Sequence, residues 1–132
     1  MATIDITEAT FPETIEENDI VFVDFWADWC GPCKQFAPVY DAVSQQHEDI
    51  TFAKVDTEAE QGLAAAAGIT SIPTLMAFRE KVLVFSQPGA LNASQFSELV
   101  EAVKGLDMKG VHEQIAAQEN GQAAAGSDGQ AS

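Results

Sequence analysis

Cysteine is scarce in this chain of 132 residues, which has only Cys30 and Cys33. So low a count excludes the dense disulfide framework of small secreted domains. Histidine is as rare, with His47 and His112 alone. Zinc takes four ligands, and neither histidine has a cysteine-rich neighbourhood, so no metal centre is expected. Lysine and arginine number 6 against 21 acidic residues, which gives a net charge of −15 and a pI near 4.1. That balance argues against nucleic acid and anionic membrane surfaces as partners. No apolar run reaches the roughly 20 residues needed to span a bilayer. The start, Met1-Ala2-Thr3-Ile4-Asp5, has no basic stretch followed by an apolar one. An export signal is therefore not expected, and a reducing cytoplasm is the expected setting.

What is present centres on Trp29-Cys30-Gly31-Pro32-Cys33. The run before it, Ile20 to Ala27, is apolar except for Asp24 and predicts a strand buried on both faces. After it, Phe36, Val39, Tyr40 and Val43 recur at helical spacing. Cys30 therefore falls at or near a helix N-cap, where unpaired amides and the positive dipole end favour an anion. A thiolate is such an anion, so the Cys30 pKa is expected to fall and its nucleophilicity to rise. Pro32 suits a first helical turn. Cys33, one turn in, is expected to be less exposed and placed to attack the Cys30 sulfur in a mixed disulfide.

Other readings compete. A structural disulfide across so short a loop would constrain the unfolded chain only weakly. Half of a zinc site is possible for a Cys-x-x-Cys pair, with only the two histidines to complete it. Inert buried cysteines would not need Gly-Pro between them at a helix start. Asp24 is costly to ionise among Val23, Phe25 and Trp26, so its pKa is expected to rise. Such an acid could take the proton of Cys33. A strand-edge carboxylate facing water is the alternative. Lys54, on its own, reads as a solvated strand lysine.

Trp29-Cys30-Gly31-Pro32-Cys33-Lys34 after Val23-Asp24-Phe25-Trp26-Ala27 resembles the thioredoxin family. Pro38, Lys54, Ile72-Pro73-Thr74 and Gly89 extend the resemblance over Phe11 to Lys104. The resemblance implies an α/β fold, a central mixed β-sheet flanked by helices. It implies a monomeric protein-disulfide reductase in general cellular redox homeostasis, with Cys30 as nucleophile and Cys33 as resolving thiol. Asp24 would relay the proton, and Lys54 would moderate it. No cofactor is implied beyond the intrinsic disulfide. Oxidised proteins would be the substrates, and thioredoxin reductase the electron donor. X-Pro bonds are trans in all but about 5–6% of cases, yet the resemblance implies a cis Ile72–Pro73 bond. The Ile72 backbone could then pair with an extended substrate segment. Trp29, Gly31, Pro32, Ile72, Pro73, Gly89 and Ala90 would form a flat apolar patch around Cys30, with Trp26 packed beneath. An oxidase or isomerase on the same fold, or a pure binding module, are the rivals. Gly31-Pro32 resembles the reducing members, and intact cysteines with Asp24 count against a pure binder.

Along the chain, Thr3 to Ile6 is a strand candidate. Thr10 and Glu13 predict a capping box for a first helix that ends at Asn18-Asp19. The helix after Cys33 is expected to reach His47 and to contain Pro38. A strand at 51–55 and a helix from Glu58 to Ala67, closed by Gly68, follow. Strands at 74–78 and 82–85 are linked too tightly for a crossover and predict an antiparallel hairpin. Its turn lacks the glycine usual in the family. Ser94 is the expected cap of a helix to Lys104. The domain would span 1–104. A C-terminal extension, 105–132, is expected to form a short helix capped by Asp107, then a disordered tail from about Gln118.

Overall fold

The computed structural model describes residues 2–124. In chain order it holds β1 (Thr3–Asp5), α1 (Phe11–Glu17), β2 (Ile20–Trp26), α2 (Gly31–Ser44) and β3 (Thr51–Asp56). It continues with α3 (Gln61–Ala66), β4 (Thr74–Arg79), β5 (Val82–Pro88), α4 (Ala93–Lys104) and α5 (Met108–Ala124). One 5-stranded sheet has the order β1-β3-β2-β4-β5. β3 runs parallel to β1 and β2, whereas β4 runs antiparallel to β2 and β5. This is the expected mixed sheet.

β2 lies at the centre because it can bury both faces. Residues Ile20 through Phe25 are all buried. Alternation along the strand sends Val21, Val23 and Phe25 into a core with Ile15 of α1 and Val55 of β3. Ile20 and Phe22 enter the opposite core, with Phe36 and Tyr40 of α2 and Phe96 and Val100 of α4. Its aromatic rings interlock: Phe22 stacks on Phe52 at 5.4 Å, and Tyr40 on Phe96 at 5.4 Å. By the same alternation Asp24 points to the α2 side, the side of the cysteines.

Several local expectations are corrected. Thr10 is the N-cap residue of α1, but its side chain makes no cap bond: Oγ1 accepts from the Thr7 amide at 2.9 Å, and no capping box forms. Cys30 is the N-cap of α2, as expected, but the helix begins at Gly31 rather than Cys33 and ends at Ser44, short of His47. α3 begins at Gln61 rather than Glu58, because Asp56 Oδ1 holds the Glu58 and Ala59 amides in a turn. Gly68, at φ +72°, does close that segment. The cap of α4 is Asn92, not Ser94, and Asn92 and Gln95 form a reciprocal capping box. α5 continues past Gln118, and the rest of the expected disordered tail, 125–132, lies outside the described residues. Asp107 Oδ1 accepts from the Gly110 amide at 3.2 Å, as expected of a cap. No helix among the described residues is long and apolar enough to cross a membrane.

The far end of the hairpin anchors the extension. Arg79 donates to the carbonyls of Val103, Lys104 and Leu106 at 2.7–3.2 Å, which closes the C-terminal end of α4. Glu80 Oε1 pairs with His112 Nε2 at 2.7 Å, and Met108 is buried. By register this end, where Arg79 pairs with Ile20, lies opposite the Phe25–Thr74 end that leads to the cysteines.

The hairpin turn is built without glycine: Glu80 and Lys81 sit at φ +52° and +70°. Left-handed backbone costs a side-chain-bearing residue about 1–2 kcal/mol. Replacing Lys81 with glycine relieves that strain, less the backbone entropy glycine loses on folding. Lys81→Gly is expected to stabilise the fold by about 0.5 kcal/mol, read as a higher urea midpoint at unchanged slope.

Candidate active site

The β2-to-α2 junction sets the site. Cys30 takes an extended conformation, φ −89° and ψ 110°, as the N-cap of α2. Its amide donates to the Ala27 carbonyl at 3.2 Å, and its carbonyl accepts from Lys34 at 3.2 Å. The Cys33 amide donates to Cys30 Sγ at 3.1 Å. A helix-start N–H thus points at the sulfur that would carry charge. Cys30 and Cys33 are joined in a disulfide with Cα atoms 5.2 Å apart. Cys33 is not the less exposed of the two: in this disulfide form both are 4% exposed.

The predicted rim residues gather unequally around the pair. The Ile72 carbonyl oxygen lies 3.6 Å from Cys30 Sγ. The Ile72–Pro73 bond is cis, as the resemblance implies. The Gly89 amide donates to the Pro73 carbonyl at 2.8 Å, tying the β5–α4 loop to this segment. Gly89 stands at φ +108°, a region that glycine alone adopts readily. Gly31, Pro32, Gly89 and Ala90 are exposed, and Ile72 is half-buried. Pro73 is buried, so it supports the patch from below rather than forming its surface. Trp29 is 69% exposed, and its indole N–H donates to Glu58 Oε2 at 3.2 Å. Sequence reasoning missed Glu58. Its only signal was a carboxylate in the loop after β3, one among 21 acidic residues.

Beneath Cys33 lies a cavity of about 200 Å³, lined by Asp24, Trp26, Asp28, Cys33, Lys34 and Lys54 among others. Asp28 was not singled out from the sequence, and Lys34 entered only as part of the resemblance. Asp24 is 1% exposed, and its Oδ1 has no hydrogen-bond partner. Burial pushes its pKa up to about 7, against the opposing pull of Lys54. The strand register sets Lys54 beside Asp24 on the neighbouring strand. Tyr40 donates to the Ala53 carbonyl at 2.7 Å. Burial, then the Asp24 charge, raises its own pKa, so it stays neutral. Among the described residues no group of three or more His, Cys, Asp and Glu converges as metal ligands would.

Asp24 makes stability depend on pH. Its folded pKa, about 7, lies above the unfolded value of 3.8, so the native state holds the proton more tightly. Stability therefore falls as pH rises from about 4 to about 7 and is level above that. The difference amounts to about 4 kcal/mol. Asp24→Asn is expected to stabilise the fold by about that much at pH 8 and by little at pH 4. Urea unfolding at the two pH values checks this, and an equal gain at both would refute it.

A family model for thioredoxin matches residues 2–102. Over 118 residues the chain is 48% identical to a Streptomyces coelicolor protein provisionally named thioredoxin 2, covering 89% of this chain and 88% of that protein. It is 46% identical over 88 residues to thioredoxin 1 of Synechococcus elongatus, covering 65% of this chain and 82% of the relative. Among solved structures, a thioredoxin mutant from Halobacterium salinarum superposes with a TM-score of 0.72 at 32% identity, over 79% of this chain and 92% of that one. Plasmodium falciparum thioredoxin gives 0.70 at 36% identity, over 76% and 97%. The chain belongs to the thioredoxin family and has its fold, with Cys30 and Cys33 as the redox-active pair of a thiol-disulfide oxidoreductase.

Proposed function

We propose that this protein reduces disulfides in oxidised proteins, with Cys30 as attacking thiolate, Cys33 as resolving thiol and Asp24 as proton acceptor. The observation that carries the reading is the Cys33 amide 3.1 Å from Cys30 Sγ in the disulfide, a donor already aimed at the sulfur that would carry charge on reduction. The Cys30 thiolate attacks one substrate sulfur. The substrate disulfide breaks, a mixed disulfide forms and one substrate thiolate leaves to pick up a proton. Cys33 then gives its proton to the Asp24 carboxylate and attacks Cys30 Sγ. The mixed disulfide breaks, the second substrate thiolate leaves, and Cys30–Cys33 closes. The substrate gains two electrons and two protons in all.

An acid with a pKa of about 7 is half ionised at neutral pH, so it can both take and release that proton. The cavity of about 200 Å³ leaves room for water, at roughly 30 Å³ each, to carry the proton between Cys33 and Asp24. Lys54 moderates the acid. Trp29, Gly31, Pro32, Ile72, Gly89 and Ala90 would meet the substrate, with Pro73 as their support. Backbone pairing at Ile72 suits substrates of varied sequence. Regeneration would come from thioredoxin reductase. The cysteine chemistry itself calls on no added cofactor, and the cytoplasm is the compartment proposed. The domain is 1–104. The extension, 105–132, begins at the sheet end away from the cysteines and takes no part in the exchange.

Cys33→Ser is expected to trap partners as mixed disulfides through Cys30, resolved by added dithiothreitol. Cys30→Ser is expected to trap none. Partners retained by the double variant without any disulfide would favour a binding module. A redox titration followed by Trp26 and Trp29 fluorescence gives the direction: a reducing potential fits a reductase, and an oxidising one fits an oxidase or isomerase. Asp24→Asn is expected to slow release of the second substrate thiol at pH 7 by up to about 100-fold, measured by stopped-flow. An unchanged rate would remove Asp24 from the relay.

A further inference from the structure

We propose that Trp26 is a positioning residue for Lys54, its indole face holding the ammonium at the wall of the cavity beside Asp24. The proposal rests on the reading of Asp24 as proton acceptor. Lys54 Nζ lies 5.2 Å from the centre of the Trp26 ring, within cation–π range. Among the described residues Lys54 makes no ion pair, since the salt bridges there join Lys104 to Asp49 and His112 to Glu80. No described carboxylate lies within ion-pair distance of this ammonium, so the Asp24 charge draws it without a direct contact to fix its place. A half-buried lysine on a flexible stem would otherwise carry its charge out to water. The indole is the contact that opposes that.

The polar edge of Trp26 supports the same assignment. Its Nε1 is buried and has no hydrogen-bond partner. An unpaired buried N–H is destabilising, and a phenyl ring would fill much of the space without one. What indole offers over phenyl is the stronger π face for a cation. Here the face is used and the N–H is not.

The groups that face Asp24 are few. Lys54 comes from β3, Tyr40 and Cys33 from α2, with Lys34 and Asp28 lining the same cavity. Tyr40 is neutral, and Lys54 is the charge that opposes the effect of burial on Asp24. Holding Lys54 therefore holds the acid's proton affinity, and with it the pH at which Cys33 can be deprotonated.

The test is the titration of the Asp24 carboxyl carbon by NMR in the oxidised protein, for wild type, W26F, K54M and W26F/K54M. In the presence of Lys54, W26F is expected to raise the Asp24 midpoint by about 0.5 pH unit, a threefold change in proton affinity. In the K54M background W26F is expected to leave the midpoint in place or lower it, since only hydration then changes. An equal shift in both backgrounds would overturn the proposal. A measurement on the unaltered protein bears on it as well: the Lys54 side-chain methylene protons are expected upfield from the indole ring current. Protons at ordinary lysine positions would also overturn it. These signals report titration and geometry, not turnover. If Asp24→Asn left the exchange rate unchanged, the relay would fall while the Trp26–Lys54 coupling stood. Equal shifts in the two backgrounds would remove the coupling and leave the relay.

Discussion

A negative charge on sulfur is tolerable only where donors already point at it, and the structure depends on that constraint at the start of α2. Helix formation leaves the first amides without internal partners. One of them, from Cys33, faces Cys30 Sγ. The direction of α2 is fixed in turn by Phe36, Tyr40 and Val43, packed against Phe22 and Phe52 of the sheet and Phe96 of α4. The aromatic core is thus the mount that keeps an amide aimed at a reactive atom.

The same junction explains why a carboxylate can persist in the most buried strand. Asp24 shares a face with Ile20 and Phe22, which belong to the core under α2. One residue along the strand in either direction, a side chain would enter the other core, away from the cysteines. Period-two alternation therefore decides that the acid lies below Cys33. Burial makes it a weak acid, and Lys54 on the neighbouring strand pulls the other way. Destabilisation of the folded state and a raised proton affinity have one cause here, the removal of water from a single carboxyl group.

Much of this was legible from the residues. An apolar run buried on both faces specifies a central strand, and the spacing of Phe36, Val39, Tyr40 and Val43 specifies the helix that follows. The hairpin was forced by a link too short for a crossover. Less legible were choices between near-equal alternatives. Asn92 and Ser94 are both good caps, and the reciprocal bond with Gln95 decides between them. Alanine and glutamine form helices as readily as they populate a tail, so α5 runs further than its composition suggests. Lys54 reads as an ordinary strand lysine until Trp26 is placed beside it. Glu58 becomes informative only once its loop is folded against Trp29. These last two depend on neighbours distant in sequence, which no local pattern encodes.

The attachment of α4 and α5 to the β4–β5 hairpin has a mechanical side. Arg79 grips the last carbonyls of α4 and that of Leu106, and Glu80 grips His112. A pull exerted on α5 would enter the sheet through that corner. The disulfide lies beyond the other end of β2, across the antiparallel β2–β4 ladder and the core that α4 shares with α2. Tension on the extension would therefore load side chains and the hairpin before it reached the sulfurs. The corner where such a load would enter and the sulfurs lie at opposite ends of β2.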